Sequence, residues 1–99
     1  MGEVAPNLRS ALVAEEQIAR FAAAGRRGVV LRFGLLDGPG TGHGPLYDVY
    51  GTTLHVADAA SALLAALSVP SGIYNVCRDG ERISNERFKR AAGWRPRQL

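Results

Sequence analysis

Ninety-nine residues, 46% of them hydrophobic and 21% charged, leave room for one small domain whose core is thin, because a chain this short hides only about 60 to 65% of the surface its unfolded form exposes. No apolar run approaches the ~18 residues of a membrane helix, the start Met-Gly-Glu-Val-Ala-Pro lacks the basic and apolar regions of a signal peptide, and a lone Cys77 excludes a disulfide framework. A cytoplasmic protein with no membrane partner is the expectation. The net charge of +3 is unevenly placed: residues 78–99 hold seven Arg/Lys against three Asp/Glu, residues 1–77 five against six, so the basicity is a C-terminal property and nucleic acid is not the expected partner.

Residues 1–6 read as a disordered leader of a single domain spanning 1–99. Asn7 stands where a helix N-cap belongs, and nothing from Leu8 to Ala24 interrupts a helix. Ala11, Ala14, Ile18, Phe21 and Ala22 share one face; Glu16 and Arg20 are spaced for an i, i+4 pair on another. Gly25 supplies the stop. Gly28 to Phe33 is a β-branched, apolar run closed by a Gly/Pro cluster, the pattern of a strand buried on both faces. Leu36 to Gly51, dense in glycine and proline, predicts a long loop carrying His43, Tyr47, Asp48 and Tyr50. Thr52 to Val56 is a short strand; Asp58 then reads as the N-cap of an almost wholly apolar helix, Ala59 to Leu67, which on that composition is expected to be covered on nearly every side. Pro70-Ser71-Gly72 turns the chain into a strand, Ile73 to Cys77. Arg78 to Glu81 is a polar turn, Ser84 caps a helix that Gly93 ends after Ala92, and Trp94 is expected to fold back onto it.

Strands alternating with helices predict an α/β unit, helix–strand–loop–strand–helix–strand–helix, with a parallel βαβ crossover. In such sheets ligands gather where the carboxyl ends of strands give way to loops, which directs attention to Phe33-Gly34. The chemistry available is limited. His43 and His55 stand apart from any metal-ligand spacing, no Gly-x-Ser-x-Gly elbow accompanies the serines, and Gly38-Pro39-Gly40-Thr41-Gly42 fails as a phosphate cradle because Pro39 has no amide hydrogen.

Taken together, Gly28-Val-Val-Leu-Arg-Phe-Gly-Leu-Leu-Asp-Gly-Pro-Gly40, Leu54-His-Val-Ala-Asp-Ala-Ala60, Gly72-Ile-Tyr-Asn-Val76 and Ile83-Ser84 resemble, in this order, the C-terminal part of extended short-chain dehydrogenases/reductases, the NAD-dependent epimerase/dehydratase family. The resemblance implies a truncated Rossmann-like unit, cofactor-binding contacts from Phe33, Gly34 and Leu35, and substrate-binding contacts from Asp37, His43 and Tyr47. It also implies NAD(P) as the family cofactor. The departures are equally informative: there is no Gly-x-x-Gly-x-x-Gly turn, Leu8 and Leu12 stand near where the family's catalytic Tyr and Lys fall, and Asp37 replaces the motif tyrosine. Hence no catalytic residue is assigned, and no cofactor is expected on the isolated chain. Its expected partner is a second copy or another reductase-like chain; the alternative to a reductase fragment is a non-catalytic homo-oligomerisation or partner-binding module.

Overall fold

A computed structural model describes residues 6–42, 44, 52–80 and 82–98. The chain runs α1 (Pro6–Ala23), β1 (Val29–Phe33), β2 (Leu35–Asp37), β3 (Thr53–His55), α2 (Val56–Ala65) with a 3-10 turn (Ala66–Ser68), β4 (Gly72–Val76) and α3 (Glu86–Ala92). Among the described residues, three helices and two small parallel sheets form a compact α/β domain. β1 pairs with β4 in parallel, Val29 opposite Gly72 through Phe33 opposite Val76; β2 pairs with β3 in parallel, Leu35 opposite Thr53 through Asp37 opposite His55. Residues 29–37 are thus nearly one extended stretch that changes partner at Gly34. The Gly34 N–H still donates to Val76 O (2.9 Å), whereas the next N–H, of Leu35, donates to Thr52 O (3.0 Å).

β2 lies inside what the sequence presents as loop. Leu35-Leu36-Asp37 is too short to show an alternation, and its strand character comes from β3, which is supplied from across the loop. The leader, expected over residues 1–6, falls outside the described residues except for Pro6, which opens α1. A proline suits that first position because its missing N–H would have no intrahelical partner there. Asn7 therefore lies within the helix rather than capping it.

The core gathers between α2, α3 and one face of β1 and β4: Leu54, Ala59, Ala62, Val69, Tyr74, Val76, Phe88 and Trp94 are buried, and Val29, Leu31 and Leu36 pack against them. Tyr74, Phe88 and Trp94 form an aromatic row with centroid separations of 5.7 and 5.4 Å at steep ring angles, which sets quadrupole edges against ring faces. Trp94 does fold back, and its Nε1–H donates to Ser61 Oγ on α2 (2.9 Å). α3 is ended by Gly93 at φ 66°, in the left-handed region. Its start differs in detail: Asn85 is the flanking residue, and Ser84 Oγ accepts from Glu86 N at 3.2 Å.

Two expectations about burial, for β1 and α2, are corrected, and the apolar face of α1 is only partly covered. β1 is not enclosed on both faces, since Val29 to Leu31 are half-buried and Arg32 and Phe33 exposed; among the described residues it has a partner strand on one side only. On α1, Ile18 and Ala22 are half-buried at Gly28, but Ala11, Ala14 and Phe21 of the expected apolar face are exposed. α2 is likewise open on one side, with Leu63, Leu64 and Leu67 exposed. For the two helices the reason is that one small two-stranded layer cannot cover the whole circumference of a helix.

Candidate functional site

The carboxyl end of β1 opens onto a groove lined by Phe33, Gly34, Leu35, Leu36, Gly40, Thr41 and Val56, a space of about 660 Å³ open to solvent. The three residues expected to contact a cofactor thus lie together, at the point where the strand exchanges β4 for β3. Gly34 is there for lack of space: a Cβ would stand 2.7 Å from the Thr53 carbonyl carbon and oxygen and 2.9 Å from its nitrogen. Thr41 Oγ1 donates to Gly38 O (2.6 Å), closing the turn on the far wall. Val56, the first residue of α2, brings the helix start to the groove. None of these described lining residues carries a titratable side chain. These described walls can hold and orient a flat apolar ring.

Asp37 is not on this surface. Its side chain is 1% exposed, and its Oδ2 and Oδ1 accept from Arg78 Nη1 and Nη2 at 2.7 and 2.8 Å, a bidentate pair. Arg78 Nη1 also donates to Thr53 Oγ1 (2.8 Å), and Arg78 N to Thr53 O (2.9 Å). One guanidinium therefore ties β2, β3 and the segment after β4 together directly beneath Gly34. The fork matches the carboxylate geometrically, and burial makes both partners necessary to each other. The residue expected, from the family resemblance, to contact substrate is an internal strut. The available signal was Asp37 itself, an acid ending an apolar strand, which when buried requires a cationic partner. His43 and Tyr47, the other two expected substrate contacts, lie outside the described residues, as do Asp48 and Tyr50.

His55 caps α2. Its Nδ1 accepts from Ala57 N (3.0 Å), and the ring stands against Gly38, where a Cβ would meet Nε2 at 2.8 Å. Asp58 is accordingly not the cap. It lies in the first turn, 3% exposed, and its carboxylate accepts from the N–H groups of Arg97 and Gln98 at 2.9 and 3.0 Å. The C-terminal segment is thus strapped across the start of α2, with Trp94 pinned to Ser61 one turn farther on. On the other side of α3, Asp79 accepts from Lys89 Nζ (2.8 Å) and Asn85 Nδ2 (2.9 Å). These two hydrogen bonds, that from Lys89 foremost, hold its carboxyl below the usual aspartate range, and the same contact raises Lys89. Glu15 is lowered and Arg32 raised by their own bidentate pair, at 2.8 and 2.6 Å, which fastens α1 to β1.

Among the described residues no three of His, Cys, Asp and Glu come together as metal ligands, and no helix is long and apolar enough to cross a membrane. Comparison with models of protein families, with curated proteins and with solved structures found no match to this chain.

Proposed function

We propose that the chain is the substrate-side part of an NAD-dependent epimerase/dehydratase-like reductase, Rossmann-like in its strand connections, that supplies one wall of a nicotinamide-binding groove and no hydride-transfer machinery of its own. The observation that carries this reading is the position of Phe33-Gly34-Leu35: the segment that resembles the family motif lines an open apolar groove at the carboxyl end of a parallel strand, where the chain exchanges one sheet partner for another and where α/β proteins receive ligands. The lining suits a nicotinamide ring. A cofactor bound there would supply the hydride chemistry, while Phe33, Leu35 and Val56 would provide apolar contacts that exclude water from the ring and Gly34 would let backbone approach it. The pyrophosphate has no counterpart site, because the 99 residues contain no Gly-x-x-Gly-x-x-Gly turn.

Titrating nicotinamide mononucleotide into the isotope-labelled chain tests the reading. Amide shifts confined to residues 33–36, 40–41 and 56, with weak, millimolar affinity, are expected. Shifts centred elsewhere, or none at 20-fold excess over ~1 mM, would remove it. Low-micromolar binding of NAD(H) by calorimetry would show instead that the chain is complete as a cofactor site.

A second reading, a non-catalytic association module, is favoured by one feature: β1 has a strand partner on one side only among the described residues, and an open parallel edge with half-buried apolar side chains recruits another chain. A mass of at least twice 10.5 kDa in solution is its mark.

A further inference from the structure

The way α1 is seated leaves a hollow on the second face of the β1–β4 sheet. Side chains alternate along a strand, so while Val29, Leu31, Tyr74 and Val76 serve the core, Val30 and Ile73 face the other way, toward α1. The helix is fastened to that face at two points, both on the β1 side. Ile18 and Ala22 close on Gly28, where a Cβ would stand 2.9 Å from Ile18 Cγ2, and Glu15 is held by the Arg32 fork. The start of β4 is left uncovered, with Ile73 36% exposed. The result is a space of about 360 Å³ with apolar walls from Ile18, Ala22, Val30 and Ile73. A second hollow of about 320 Å³ shares Ala19 and Ile73 with it and prolongs it toward Leu12.

The charges at this hollow are compensated at one end and not at the other. Toward Leu12, Glu15 is paired with Arg32 and Glu16 with Arg20. At the Gly72 end stands Arg87, which has no carboxylate partner among the described residues. Its guanidinium is nonetheless fixed: Nη1 donates to Ile73 O (3.1 Å), and the group lies over the Tyr74 ring, 5.0 Å from the centroid. Nη2 is left to donate. It stands 2.9 Å from where a Gly72 Cβ would be, so the glycine keeps the hollow open beside it. Ser71, the next residue back, accepts from Gly28 N (2.9 Å) through Oγ and keeps its own O–H as a second donor at the same end.

Two donors, one of them a held guanidinium, at the end of an elongated apolar hollow of small-ligand size match an anion with an apolar tail. A cation would meet Arg87 and two carboxylates already paired, and a bare phosphate would leave the apolar walls unused. We propose that this hollow, separate from the groove at Phe33, binds an apolar monocarboxylate, its carboxylate on Arg87 and Ser71 and its chain running along Ile18 and Ile73 toward Leu12.

Titrating octanoate into the isotope-labelled chain should shift the amides of Ile18, Ala22, Val30, Gly72 and Ile73, with a Kd on the order of 0.1–1 mM. Octanol, which has the same chain and no charge, should bind at least 10-fold more weakly, and acetate, which has the charge and no chain, should not saturate at ~20 mM. Arg87→Gln should bring octanoate down to the affinity of octanol, and Arg87→Lys should restore part of the preference. Because Arg87 also braces Ile73 and Tyr74, Ala19→Phe provides a variant outside the core: Ala19 is exposed and lines both hollows, so the ring should fill them, abolish octanoate binding and leave the far-UV spectrum unchanged. Shifts centred on residues 33–36 or elsewhere, no saturation by octanoate, octanol binding as tightly as octanoate, acetate binding as tightly as octanoate, or undiminished binding by folded Ala19→Phe would each overturn the proposal.

Discussion

Replacing Gly34 by alanine tests the described glycine with the least room for a side chain. Gly34 is not among the glycines with positive φ, so alanine can adopt its backbone conformation and the cost is steric. The added Cβ would meet the Thr53 carbonyl at 2.7 Å, where ordinary contact begins at 3.4 Å, so strand and strand must separate by about 0.7 Å. The obstacle is backbone on both sides and cannot swing aside as a side-chain tip would. Separation strains the Gly34 N–Val76 O and Leu35 N–Thr52 O hydrogen bonds that carry the exchange of partners, and it loosens the Arg78–Thr53 contacts just below. Overpacking alone costs about 1–3 kcal/mol, and a weakened backbone bond about 1 kcal/mol more, so a loss of about 3 kcal/mol is expected. For a domain of this size that is a fall in Tm of roughly 12 °C or more, a large share of the stability such a chain possesses. Gly40→Ala is the control. Gly40 has φ 85° and nothing within 4 Å of its Cβ position, so its cost is conformational only, about 1–2 kcal/mol. Thermal unfolding followed by circular dichroism distinguishes them. If Gly34→Ala melts within 2–3 °C of wild type, or no lower than Gly40→Ala, the strand-exchange geometry is wrong.

Arg78→Met should cost about 3–5 kcal/mol in urea unfolding by leaving the Asp37 carboxylate buried without its fork, and Asp37→Leu added to it should recover a large part; additive losses would show that the pair is not coupled. Asp58→Ala removes the acceptor for two backbone N–H groups and should cost about 1–3 kcal/mol while shifting the emission of the single tryptophan, Trp94, to longer wavelength; unchanged emission would mean that the C-terminal strap is held without it. The pH dependence follows from Asp79 and Lys89. A carboxyl lowered by folding contributes stability above its ordinary range, lost as pH falls through the lowered value, and a raised ammonium contributes stability lost only as pH climbs past its ordinary value of 10.5. Stability at this turn is therefore flat near neutrality and declines below about pH 4, modestly, because the Asp79 side chain is 58% exposed and screened by solvent. Asp79→Asn should flatten that acid limb between pH 5 and 2, and coincident profiles would refute the assignment.

What the sequence determined by itself was the presence and order of most elements, though not their caps: His55, and not Asp58, caps α2. The existence and order of α1, β1, β3, α2, β4 and α3 follow from apolar periodicity and from glycine stops at Gly25 and Gly93, whose positive φ needs no distant partner. The groove at Phe33-Gly34-Leu35 was legible for the same reason: an apolar strand ending in a Gly/Pro cluster marks its own carboxyl end. What needed the tertiary structure lies at long range. β2 exists because β3 returns beside it, and the acid of Asp37 is internal because Arg78, 41 positions away, reaches it; Asp58 is an anchor and not a cap because the chain brings Arg97 and Gln98, 39 and 40 positions on, to its carboxylate. Thr41 and Val56 join the groove only through the turn at Gly38 and the start of α2. The direction in which α2 faces was decided in the same way. Its composition is apolar all round, so sequence offers no preferred side. The sheet beneath takes the alanines, which allow the closest approach, and leaves the leucines in solvent.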